Sequence, residues 1–63
     1  MASPADMQRL IEALGNAERV VISEHTDATS QERGDRIVRY GQQQFDCTKD
    51  QVEDLQASGA RRG

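Results

Sequence analysis

Between Ile37 and Leu55 the chain reads IVRYGQQQFDCTKDQVEDL, and its hydrophobic spacing changes there from a period of two to a helical start signal with no linker between. This change of period constrains the fold more than any other feature of the sequence. Gly41-Gln42 suit the central positions of a tight hairpin, with glycine first as a type II′ turn prefers. Such a turn sets Tyr40 against Gln43, Val38 against Phe45 and Arg36 against Cys47, so Val38, Tyr40, Phe45 and Cys47 share one hairpin face. Thr48 followed by Gln51 spells a capping box, and Asp50 places negative charge in the first turn. A helix therefore begins directly after the second strand. Val52 and Leu55 are its apolar contacts, and Ser58-Gly59 ends it.

Upstream, Ser3-Pro4 places a capping hydroxyl before a residue suited to the first helical position, with Asp6 favoured by the helix dipole. Met7, Leu10, Ile11 and Leu14 recur at the spacing of one helical face, opposite Gln8, Arg9 and Glu12. Gly15, followed by Asn16, predicts a left-handed stop. Arg19 to Ser23 is a short β-branched run and reads as a strand. Residues 23–35, SEHTDATSQERGD, contain no large apolar side chain and are rich in turn formers, which predicts a solvated, mobile loop or arm. Loops of this length are usually functional or disordered. Residues 59–63 read as a frayed tail. The expected fold is α+β: a small two-layer domain over residues 1–63 with an N-terminal helix, short strand, long polar loop, β-hairpin and short C-terminal helix.

The amount of core available limits how such a chain works. A chain of 63 residues buries only ~60% of its unfolded surface. Apolar residues make up 35% and charged residues 30%, and Tyr40 and Phe45 are the only aromatics, so ordering is expected to draw on a second copy or another partner. The lone Cys47 forms no internal disulfide and suggests a reduced, cytoplasmic setting. There is no apolar run of about 20 residues and no basic-then-apolar start, so neither a membrane span nor a signal peptide is expected. The net charge of −3 disfavours direct nucleic-acid binding, which needs a basic surface. A DNA-reading helix is disfavoured too, because the second helix carries one Lys against three acidic residues.

Candidate chemistry is sparse. His25, between Glu24 and Asp27, lacks the further ligands a metal site needs and reads as a solvated loop histidine. Cys47 would need a base and an orienting group to act as a nucleophile, and its place on the inner hairpin face makes it a core residue instead. Arg33-Gly34-Asp35 matches the tripeptide of adhesion ligands, but Gly34 has a sufficient role as a turn before the next strand. With no phosphate loop, paired-cysteine motif or hydrolase signature, the expectation is a non-enzymatic interaction protein without cofactor or metal.

The segments MQRLIEAL, DRIVRYGQQQFDC and TKDQVEDL, in that order, resemble the gpW-like head-completion proteins of tailed bacteriophages. The resemblance covers about half the chain. It implies two helices packed on a β-hairpin and a role in head-tail joining during virion assembly, with a portal or other capsid component as partner. On that basis Arg61 and Arg62, with the hairpin edge, would be docking elements, in the host cytoplasm or the virion. The arm at 23–35 and the strand around Val21 depart from the family pattern, and the basic tail is shortened to ARRG. The other expectation is a small acidic phage-encoded inhibitor of one host nucleic-acid-binding protein, with Glu32, Asp35, Glu53 and Asp54 forming the acidic surface. A head-completion protein is expected to be monomeric or weakly associated alone, while the thin core by itself points to a homo-oligomer or an assembly component.

Overall fold

In the computed structural model, which describes residues 1–62, the elements run α1 (Pro4–Gly15), β1 (Val20–Glu24), α2 (Ala28–Arg33), β2 (Arg36–Tyr40), β3 (Gln43–Cys47), α3 (Lys49–Ala57) and β4 (Arg61–Arg62). The α+β architecture with an N-terminal helix, hairpin and C-terminal helix is as expected from the sequence. The four strands form one mixed sheet in the order β3-β2-β1-β4. The first three are antiparallel neighbours, and β4 lies parallel to β1.

The hairpin has the expected register, with Tyr40 opposite Gln43, Val38 opposite Phe45 and Arg36 opposite Cys47. Gly41 has φ +60° while Gln42 stays at negative φ, which is the pattern of a II′ turn. The capping box is also formed. The Gln51 backbone N–H donates to Thr48 Oγ1 at 3.3 Å, and the Thr48 N–H donates to Gln51 Oε1 at 3.1 Å. The same Gln51 amide ties down the start of the chain: its Nε2 donates to the Ala2 carbonyl at 2.8 Å, and its Oε1 accepts from the Ala2 N–H at 3.2 Å. One side chain thus fixes a helix cap and places Ala2 in the core.

That core comprises Ala2, Leu10, Ala13, Val20, Ile22, Val38, Cys47, Val52 and Leu55, with Met7, Leu14, Tyr40, Phe45 and Ala60 packed around it. The α1 face differs from the expected stripe, because Ile11 is 40% exposed and Ala13 is buried. Each helical step turns about 100°, so a face centred on Leu10 leaves Ile11 well outside it and brings Ala13, three residues on, within about 60°. The helix stop also differs. The left-handed residue is Ala17 (φ +61°) rather than Gly15, and Asn16 is the cap. The Glu18 N–H donates to Ala13 O at 2.9 Å and the Ala17 N–H to Leu14 O at 3.1 Å, a Schellman closure.

Two segments are more ordered than the sequence suggested. Within 23–35, β1 continues to Glu24 and residues 28–33 form α2, so the solvated loop or arm is replaced by a strand end and a helical turn. Asp27 caps α2 by accepting from the Ser30 N–H at 2.9 Å, and the Arg36 guanidinium donates to the carbonyls of Gln31 and Asp35. Polar contacts hold this segment, which is why apolar periodicity gave no sign of it. Gly34 closes α2 at φ +103°, where an added Cβ would stand 3.0 Å from Lys49 Cβ. At the other end, Arg61–Arg62 form β4 instead of a frayed tail, because the turn at Gly59 (φ +111°) brings the chain back beside β1. Gly63, the last residue of the expected tail, lies outside the described residues.

Candidate interaction surface

Strand alternation and register divide the sheet into two unlike faces. Val20, Ile22, Val38, Phe45 and Cys47 point to the side covered by α1 and α3. The opposite side presents Val21, Ser23, Ile37, Arg39, Gln44, Asp46 and Arg61. Across all four strands the register lines up Gln44, Arg39, Val21 and Arg61 in one row. Val21 is half-buried between two exposed arginines. Arg19, just before β1, joins them in two shallow hollows flanking Val21, one reaching Arg39 and Tyr40 and the other Arg61 and Arg62.

The electrostatics of this row are one-sided. The one arginine–carboxylate ion pair among the described residues is Arg33 with Asp35 (2.7 Å), so Arg19, Arg39, Arg61 and Arg62 have no carboxylate partner among those residues. The one acid in the hollows is Glu18, whose carboxylate accepts the Tyr40 hydroxyl at 2.7 Å. That hydrogen bond raises the Tyr40 pKa above its ordinary value, with burial and the Glu18 charge adding to the shift.

The other sequence candidates are scattered. Glu32 is exposed on α2, and Glu53 and Asp54 are exposed on α3. Asp35 is only 8% exposed and its carboxylate takes two hydrogen bonds from Arg33, so it is not available as part of an acidic surface. These contacts also close the Arg33-Gly34-Asp35 tripeptide on itself, and Arg33 is held more firmly in its charged form by Asp35. Arg61 and Arg62 form a strand beside β1, at the sheet edge opposite the hairpin, so the two proposed docking elements lie at opposite edges of the sheet.

His25 is not the solvated histidine expected, since its side chain is only 10% exposed. Its Nδ1 accepts from the Asp27 N–H at 3.0 Å, which leaves the proton of the neutral ring on Nε2. Nε2 lies 3.3 Å from Asp46 Oδ2 without hydrogen-bond alignment and is otherwise unpartnered. Cys47 is fully buried, and burial, reinforced by Asp46, pushes its thiol up to about 11, which keeps it protonated near neutral pH. Among the described residues no three His, Cys, Asp or Glu side chains come together as metal ligands, and no helix is long and apolar enough to cross a membrane.

Arg19 and Arg39 were missed in the sequence. Arg39 lies between Val38 and Tyr40 and so had to face away from the core, but its alignment with Val21 and Arg61 depends on pairing between strands far apart in the chain. Comparison with known proteins finds no matching family, no similar curated protein and no similar solved structure.

Proposed function

We propose that this chain is a small non-enzymatic protein–protein interaction module that acts through its open sheet face. The observation behind this reading is the asymmetry of the sheet: α1 and α3 pack on one face, and the other holds Val21 and Ile37 half-buried in its central strands beside exposed arginines. Arginine beside aliphatic side chains is a composition favoured at protein interfaces. The most reactive side chain, Cys47, is sealed in the core, which suits contact better than covalent chemistry. In the specific form that the gpW-like resemblance implies, the partner is a phage portal or capsid component and the contact serves head-tail joining.

The test is to recover the partner by affinity capture, identify it, and map the contact with photo-crosslinking groups placed singly at Val21, Ile37, Ile11 and Glu53. Adducts to the identified partner are expected from positions 21 and 37 and not from the helical positions 11 and 53. Adducts confined to the helical positions would overturn the assignment of the face. Recovery of a portal protein supports the head-tail form, whereas recovery of a single unrelated host protein removes it.

A further inference from the structure

We infer that the partner's contacting element is an acidic polypeptide segment seated across the Arg39–Val21–Arg61 row, with Arg19 completing the cationic frame; this rests on the interaction reading above. The row sets two guanidinium side chains on either side of a half-buried valine in directly paired positions. Two inter-strand steps separate the backbones of Arg39 and Arg61, which is about 10 Å. A segment carrying two carboxylates at comparable spacing with an apolar side chain between them matches this pattern. Arginine suits that role because its fork accommodates both oxygens of a carboxylate, where lysine offers only a point charge.

Three observations favour an acidic polypeptide over a phosphate backbone. The chain has a net charge of −3, which opposes long-range attraction of a polyanion as dense as nucleic acid. Glu18 sits in the hollow beside Arg19, and Asp46 lies on the same open face, so the positive region is local. Val21 and Ile37 provide apolar contact area that a phosphate chain would not use.

The deciding experiment measures binding of two fluorescent probes, a glutamate–tyrosine copolymer and single-stranded oligothymidylate, to the full chain over a range of salt. Two variants with equal charge loss at exposed positions are compared, R39Q/R61Q on the row and R9Q/K49Q elsewhere. Circular dichroism of each verifies the fold. The copolymer is expected to bind the parent, to weaken as salt rises, and to lose about fivefold or more in affinity in R39Q/R61Q, the size expected for two exposed ion pairs. In R9Q/K49Q it should lose less than about twofold. Equal loss in the two variants, or no binding of the copolymer to the parent, overturns the inference. Tighter binding of oligothymidylate through the same arginines overturns the choice of an acidic polypeptide in favour of a phosphate chain. If crosslinks from Val21 reach an identified partner through a segment without acidic residues, the inference fails while the interaction reading survives. Loss of all crosslinks from the sheet face removes both.

Discussion

Replacing Ala17 by glycine should make the protein more stable, although the substitution shortens a side chain and adds a flexible residue. Ala17 is the only non-glycine among the described residues at positive φ, and it occupies the left-handed position of the closure that ends α1. Holding an L-residue there costs roughly 1–2 kcal/mol. Glycine removes that strain but loses about 0.4–1 kcal/mol through the greater freedom of the unfolded chain, leaving a net gain of about 0.5–1 kcal/mol. For a domain of this size that corresponds to a rise of about 2–8 °C in Tm. Thermal melts by circular dichroism and urea titrations would measure it, with the urea midpoint rising at unchanged slope. An internal control is available at the end of α3, where Gly59 holds the equivalent position at φ +111° and an added Cβ would meet nothing within 4 Å. G59A should therefore lose about what A17G gains. If A17G melts at or below the parent while G59A is destabilised, Ala17 is not strained and the reasoning is wrong.

Other substitutions and titrations test separate parts of the structure. Tyr40 is the sole tyrosine, so phenolate absorbance reports it alone; it should titrate above the ordinary tyrosine value, and E18Q should bring the midpoint back down. Because the folded-state pKa is raised, the Tyr40–Glu18 contribution to stability is complete below the unfolded value and disappears as pH rises through the folded one. Gln51→Ala removes a capping-box partner and both contacts to Ala2, and should lower stability by about 1–3 kcal/mol in denaturant titrations; a loss within error would show that the N-terminal clamp carries no weight. Cys47 should resist a thiol reagent in buffer and react promptly in denaturant, and rapid labelling of the native protein would contradict its burial.

The sequence by itself determined what local chemistry can encode. The II′ turn at Gly41-Gln42, the register that follows from it, the Thr48–Gln51 box and the Ser3-Pro4 start all depend on residues within a few positions of one another. The inward position of Cys47 came with that register. Elsewhere local signals were absent or misleading. Segment 28–33 forms a helix with no buried side chain, held by Asp27, Gln31 and Arg36 through polar contacts that leave no hydrophobic period to read. Gly15 looked like the left-handed stop, but closure of α1 placed that conformation on Ala17.

Only the tertiary structure decided the surface. The parallel pairing of Arg61–Arg62 with β1 depends on where α3 ends, and the Arg39–Val21–Arg61 row exists because β2 and β4 flank β1 at one register. A side-chain alternation tells which residues leave the core, but it carries no record of which distant strand lies alongside. The outward direction of Arg39 was thus present in the sequence, while its partnership with Arg61 was created by the fold.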